Sequence, residues 1–362
     1  MATVFMTGFP GFIAKRLVDR LLRKDPSADF CFLVEGRLRP VAEESLAALD
    51  ERHPGVRGRS RLVTGDITAP WLGMGETTYR AEAARTTHVW HLAAIYNLAV
   101  PASLAYRVNV LGTAAVLDFC QECPKLERLD YVSKCYVSGK RTGRILESEL
   151  DEGQGFKNHY ESTKCWAELE VRRRMPRLPV AIHRPSVVVG DSRTGETDKY
   201  DGPYVVIKLL AGLPSWLPMV DIEGKARLNL VPVDFLVDAM AEVGSRRDAL
   251  GLTFQYADPR PLSAREVMDA SLEALGFRKP LLTLPGALAE RALAVPALSR
   301  LLKIPSESLT YSNHFAEYDT ANVLRLLEGT GIACPDFRSY IGVLVDYVKR
   351  YPDKPYLDGR SF

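Results

Sequence analysis

Thr3-Val4-Phe5-Met6-Thr7-Gly8-Phe9-Pro10-Gly11-Phe12-Ile13-Ala14 runs from a short apolar β-rich stretch through a glycine turn into a helical pattern. Each small residue has a mechanical role in that order. Gly8 permits the tight turn, Gly11 lets the backbone approach a ligand, and Ala14 is small enough for helix and strand to pack. A helix starting there aims free N–H groups and the positive end of its dipole above the turn, which suits a pyrophosphate. The sequence therefore predicts a dinucleotide site at Thr7, Gly8, Phe9, Pro10, Gly11, Phe12 and Ile13. A purely structural turn is the other reading of a lone glycine pattern.

Working outward, further β-rich runs occur at 30–34, 61–64, 88–92 and 129–133, each followed by a helix-forming segment, and another run follows at 180–184. Helices are expected over about 11–24 and 40–51. Such alternation predicts an α/β fold, a doubly wound parallel sheet covered on both faces. Residues 1–190 form the dinucleotide-binding domain in this reading. Residues 226–260 return to it, with Leu228–Asp234 expected to rejoin the sheet. Segments 191–225 and 261–350, richer in Gly/Pro loops and polar helices, make a smaller substrate-binding lobe, and 351–362 a tail.

Composition narrows the partners. The 362 residues are 46% hydrophobic and 25% charged, with a net charge of +2. Basic residues are scattered, so no footprint for nucleic acid is expected. Six cysteines show neither disulfide-framework nor metal spacing, and Cys120-Gln121-Glu122-Cys123 lacks a second pair, so no metal site is expected. With no secretory leader and no apolar run near the ~20 residues that span a bilayer, the expected location is the cytoplasm.

The remaining cofactor candidates lie at strand ends. Glu35, roughly twenty residues past the glycine turn, can accept hydrogen bonds from ribose hydroxyls and favours NAD. Arg37 and Arg39 can instead neutralise the 2′-phosphate of NADP, so both dinucleotides stay open. Asp66, before Ile67, can bind an adenine amino group or cap a turn. Ala93 and Ala94 are small enough to let a cofactor lie against the backbone.

Tyr160 and Lys164, four apart in Tyr160-Glu161-Ser162-Thr163-Lys164, share one face if 158–174 is helical. A tyrosine titrates near about 10 unperturbed, and an adjacent ammonium favours its phenolate, which makes a proton-transfer pair. The chain here resembles the extended short-chain dehydrogenase/reductase family, most closely the thioester reductase and fatty acyl-CoA reductase group. The resemblance runs through the glycine turn, Arg107-Val108-Asn109-Val110-Leu111-Gly112-Thr113, Tyr160/Lys164, Arg184-Pro185-Ser186-Val187 and the 228–234 run. It implies that Asn109 holds a water in a relay to Lys164 and that Lys164 binds the nicotinamide ribose. It also implies that Pro185, Ser186 and Val187 contact the nicotinamide.

The family pattern breaks at Tyr131-Val132-Ser133-Lys134-Cys135, where Lys134 replaces the hydroxyl that binds the substrate carbonyl. Strand alternation turns Ser133 away from the site. Three outcomes follow: Lys134 serves as the oxyanion donor, Ser133 or Ser138 substitutes for it, or turnover is impaired. The leading expectation is NAD(P)H-dependent reduction of an aldehyde, ketone or acyl thioester on a lipid-like small molecule. A nucleotide-sugar epimerase or dehydratase and a non-enzymatic cofactor sensor are the alternatives. The apolar stretch from Leu284 to Leu302 is read as lobe core, acyl groove or peripheral membrane contact. Homodimers are common in the resembling family.

Overall fold

The computed structural model describes residues 2–96, 100–216, 226–278 and 314–354, together with the backbone of 220–222 and 282–284. The predicted stretch Leu284–Leu302 lies outside these residues except for Leu284, and so does the tail beyond Lys354.

Seven parallel strands form the main sheet: β1 (Thr3–Thr7), β2 (Asp29–Val34), β3 (Ser60–Thr64), β4 (His88–His91), β5 (Arg128–Val132), β7 (Val180–Pro185) and β11 (Thr253–Tyr256). Their spatial order is β3-β2-β1-β4-β5-β7-β11. The order reverses between β1 and β4, and the loops after these two strands diverge there to leave a crevice. Period-two alternation divides the apolar residues between two covering layers. Val4 and Met6 of β1, with Phe30, Phe32 and Val34 of β2, face a layer built from α1 (Phe12–Lys24), α2 (Arg39–Arg52) and α8 (Val233–Gly244). Phe5, Cys31 and Leu33 face the opposite layer of α3 (Glu76–Arg85), α5 (Gly112–Glu122) and α6 (His159–Arg174). Burial on both faces is what makes these strands read as nearly continuous apolar runs.

α5 is entered through α4 (Ala102–Ala105) and a π-helical stretch, Tyr106–Leu111, which buries Asn109 and Val110 and leaves Tyr106 and Leu111 exposed. At the far edge, Arg128 donates to both oxygens of Asp130, which also pairs with His183, while His183 meets the Tyr256 hydroxyl. This buried network joins β5, β7 and β11.

The expectation for Leu228–Asp234 needs correction. Leu230–Pro232 (β10) pairs with Val187–Val189 (β8) in a separate two-stranded sheet. The seventh strand is instead Thr253–Tyr256. Pro232 ends β10 and Val233 begins α8, so the segment is a short bridge into a helix. A third apolar cluster lies around α7 (Pro203–Ala211), α9 (Ala264–Leu275) and α11 (Phe337–Arg350). Short parallel pairs join β6 (Gly143–Ile145) to β13 (Ala316–Tyr318) and β9 (Val220–Ile222) to β12 (Leu282–Leu284). α10 (Ala321–Leu327) packs on the α8 layer.

Two helical glycines give a contrasting test of packing. A Cβ on Gly244 would meet Trp90 Cζ2 at 2.6 Å, whereas one on Gly342 would meet nothing within 4 Å. Gly244→Ala should destabilise by about 1–3 kcal/mol through overpacking. Gly342→Ala should stabilise by roughly 0.5–1 kcal/mol through backbone entropy. Urea denaturation of both variants checks the opposite signs.

Candidate active site

A cavity of about 780 Å³ lies where six strands end, lined by residues that follow β1, β2, β3, β4, β5 and β7. Parallel strands place all their C-terminal ends on one edge, so side chains far apart in sequence converge there.

The glycine turn forms its floor. Gly8 has φ +88°, and a Cβ there would meet Ala93 N and the Leu92 carbonyl carbon at 2.8 Å. Gly11 donates its N–H to the Gly8 carbonyl at 2.8 Å, closing the turn. Behind it, Thr7 Oγ1 accepts from the Ala93 N–H at 3.1 Å and lies 2.7 Å from His91 Nδ1. Burial and the nearby Lys164 hold His91 down to about 3, which keeps the ring neutral, so one of its nitrogens donates and the other accepts between Thr7 and Thr113. Phe9 lines the cavity and stacks on Phe32, with ring centres 4.2 Å apart. Phe12, Ile13, Ala93 and Ala94 also line it, but Pro10 does not reach the lining.

Glu35 and Arg37 both border the cavity and bind each other, Arg37 Nε to Glu35 Oε2 at 2.7 Å. The two opposed sequence signals are thus one half-exposed ion pair. Arg39 is engaged elsewhere, with Glu43, the Leu62 carbonyl and Thr64. Asp66 caps its turn by accepting the Thr68 N–H at 2.8 Å and still lines the cavity beside Ile67, so both readings of this residue are compatible with its position.

α6 begins where Asn158 caps it, its side chain accepting the Glu161 N–H. The helix carries Tyr160 and Lys164 into the cavity wall on one face, one turn apart. The expected electrostatic coupling between them differs from the structure. Lys164 Nζ donates to the Tyr131 hydroxyl at 3.0 Å and to the Val132 carbonyl at 2.8 Å. Burial is the chief influence on the Tyr160 phenol and, aided by the Glu161 carboxylate, pushes it up instead of down. Burial also lowers Lys164 to about 7, opposed by Glu168 and aided by Lys134. The protein's own groups therefore hold Tyr160 as the protonated acid.

Lys134 occupies the cavity wall next to this pair. Its Nζ stands 4.8 Å from the centre of the Tyr96 ring, 5.1 Å from Tyr136 and 5.6 Å from Tyr160. Burial pulls it down to about 8, with Asp201 opposing and Lys199 assisting the fall. Ser133 Oγ turns the other way and donates to Glu168 Oε2 at 2.6 Å. Ser138 lies against the Tyr318 hydroxyl and is not among the cavity-lining residues. Neither serine is arranged to replace the missing hydroxyl.

Asn109 sits behind the wall. Its side-chain oxygen accepts the Ile95 N–H at 2.9 Å and its amide donates to Thr163 Oγ1 at 3.1 Å, so the side chain fastens the β4 loop to α6. Pro185, Ser186 and Val187 line the cavity, and Ser186 Oγ is buried with no hydrogen-bond partner among the described residues. A buried hydroxyl without a partner and a glycine turn wound too tightly for a Cβ at Gly8 or Gly11 both fit a dinucleotide with a polar head group.

Sequence reasoning missed Tyr96, Thr197 and Lys199, which line the cavity, as does Asp201. Tyr96 lies only two residues past Ala94. The other three come from the loop between β8 and α7, which carries no periodic signal.

The family model described as "Male sterility protein", an NAD-binding family, matches residues 6–240. This chain belongs to that family. It is the thioester reductase group of the extended short-chain dehydrogenase/reductases, whose cofactor is a nicotinamide dinucleotide. The fatty acyl-CoA reductase wat of Drosophila melanogaster is 26% identical over 275 residues, covering 66% of this chain and 53% of that protein. The aldehyde reductase lnbA of Aspergillus flavus is 27% identical over 293 residues, covering 75% and 28%. The chain thus spans about half or less of the length of these curated relatives. The crystal structure of the terminal R domain from the myxalamid PKS-NRPS pathway superposes with a TM-score of 0.81 at 25% identity, covering 98% of this chain and 92% of that one. Among the described residues, no helix is long and apolar enough to cross a membrane.

Gly8→Ala should abolish dinucleotide binding, because both the positive φ and the Ala93 backbone contact reject a side chain. Titration of NADPH fluorescence on the folded variant checks this, with circular dichroism to confirm folding.

Proposed function

We propose that this chain uses NAD(P)H to reduce the carbonyl of an aldehyde, ketone or acyl thioester on a lipid-like small molecule. The supporting observation is that Tyr160, Lys164 and Lys134 share one cavity with the glycine turn. A bound nicotinamide supplies the hydride. Thr7, Gly8, Phe9, Gly11, Phe12, Ile13, Asp66, Ile67, Ala93 and Ala94 would hold the dinucleotide, and Ser186 Oγ would accept or donate one hydrogen bond at its nicotinamide end.

Tyr160 then acts as the general acid. Burial and Glu161 favour its protonated form, so the proton is in place when negative charge develops on the carbonyl oxygen. The Lys134 ammonium donates to the same oxygen in place of the hydroxyl that the family pattern leads one to expect. Lys164, fixed by Tyr131 and Val132, would bind the nicotinamide ribose, as the family resemblance implies. Six unpaired thiols, five of them buried, suit a reducing compartment such as the cytoplasm.

On this reading, Tyr160→Phe should lower kcat by about 10²–10⁴ with NADPH binding retained. Lys134→Thr should lower it by roughly 10²-fold, the scale of losing one oxyanion donor. A rate above the parent for Lys134→Thr would overturn the role of the ammonium. Because Lys134 is held down to about 8, its charged form is present below that pH and lost above it. Steady-state reduction should therefore decline as pH rises through about 8, and Lys134→Thr should lose that limb.

Lys134 also motivates the sensor reading. Cofactor binding without turnover of any carbonyl, unchanged by Tyr160→Phe, would favour it. Purified protein that retains NAD and consumes no NADH would favour an epimerase or dehydratase.

For the dinucleotide, we infer that Arg37 is the NADP-selective group and Glu35 the restraint upon it. Arg37→Ala should weaken NADPH binding by about tenfold relative to NADH, as read by fluorescence titration; equal weakening of both would remove Arg37 from the selection.

A further inference from the structure

We propose that Lys134 and Lys199 form an anion subsite at the substrate end of the cavity, and that the substrate carries a carboxylate close to its reacting carbonyl. The inference rests on the carbonyl-reductase reading and narrows its substrate class.

The two ammonium groups converge on one ring. Lys199 Nζ lies 4.4 Å from the centre of Tyr96, against 4.8 Å for Lys134 Nζ. Their separation is therefore no greater than the sum of these distances. The local charge is unbalanced. Asp201 pairs with Lys199 at 3.3 Å, but Lys134 has neither a hydrogen bond nor an ion pair among the described residues and is held only against tyrosine faces. Lys164 adds a third cation to the same wall. A neutral alkyl chain seated there would desolvate Lys134 and return nothing, whereas a carboxylate would supply the hydrogen bonds that Lys134 forgoes.

Lys199 is also held in place. Its neighbour Asp198 binds Lys15 at 2.8 Å, and Glu196 binds Arg16 at 2.9 Å, so α1 fixes the loop on the N-terminal side of Lys199. On the C-terminal side, Tyr200 is fully buried and stacks on Tyr204, with ring centres 5.4 Å apart. The dinucleotide phosphates have a separate cradle at Gly8–Gly11 and the start of α1. Lys134, Lys199, Tyr96 and Tyr160 line the same cavity, and on this proposal the two ammonium groups face the substrate.

The test compares succinic semialdehyde with butanal, equal in chain length and differing in the carboxylate, for the wild type, Lys199→Met and Asp201→Asn. The wild type should favour succinic semialdehyde by at least tenfold in kcat/KM. Lys199→Met should cut that ratio about fivefold or more, mainly through KM, whatever change is common to both aldehydes. Asp201→Asn, which releases Lys199 from its carboxylate, should raise the ratio. No wild-type preference, or a ratio unmoved by both substitutions, overturns the subsite. Succinate provides a readout free of turnover: in the presence of NADPH it should bind the wild type and bind Lys199→Met at least fivefold more weakly by calorimetry. If neither aldehyde is reduced while succinate behaves in this way, the carbonyl-reductase reading fails and the anion site stands. If aldehydes are reduced and succinate does not bind, the reverse holds.

Discussion

The buried carboxylate of Glu168 is the interaction on which the site depends. Arg184 donates to both of its oxygens at 2.6–3.2 Å, Arg172 donates at 3.2 Å and Ser133 at 2.6 Å. Burial opposes its ionisation, but these donors outweigh burial and hold it below the usual carboxylate range. Glu168 lies one turn beyond Lys164 on α6, Arg184 immediately precedes Pro185 and Ser186, and Ser133 immediately precedes Lys134. One carboxylate thus sets the relative positions of the proton-transfer helix, the β7 loop and the β5 loop. Removing either partner of such a buried pair leaves an uncompensated charge and typically costs about 3–5 kcal/mol.

Above that anchor, the cavity wall pushes neighbouring groups in different directions. Burial raises the Tyr160 phenol and lowers Lys164 and Lys134, and Lys134 further disfavours the charge of Lys164. The result is an acid that stays protonated beside two ammonium groups that titrate near neutral pH. Burial thus brings the two lysines, ordinarily about 10, down toward neutral and moves the tyrosine the other way.

The sheet was legible because burial on both faces leaves apolar runs at regular spacing. The glycine turn was legible because the functional backbone geometry needs glycine at fixed positions, and Tyr160/Lys164 because helical spacing puts them on one face. What eluded the sequence is set by pairing between distant segments. Leu228–Asp234 has the apolar texture of a sheet strand, yet only partner choice reveals that it joins β8. Glu35 and Arg37 read as opposing signals until their side chains meet. Lys164 was expected to act on Tyr160, but β5 offers Tyr131 and Val132 as nearer acceptors. Lys199 lies in an aperiodic loop whose position depends on ion pairs to α1.

The π-helical stretch at Tyr106–Leu111 makes segment length a constraint in its own right. Accommodating an additional residue within the turn lets Asn109 face Ile95 and Thr163 while α5 keeps its own inward face. Deleting a single residue here, even one as exposed as Leu111, would return the stretch to α-helix and turn residues within it, Asn109 among them, by roughly 100°, one residue's share of an α-helical turn. The β4 loop would then lose its tie to α6 although every side chain that makes the tie was still encoded. Between Ala102 and Gly112 the spacing of the chain carries information that no substitution would reveal.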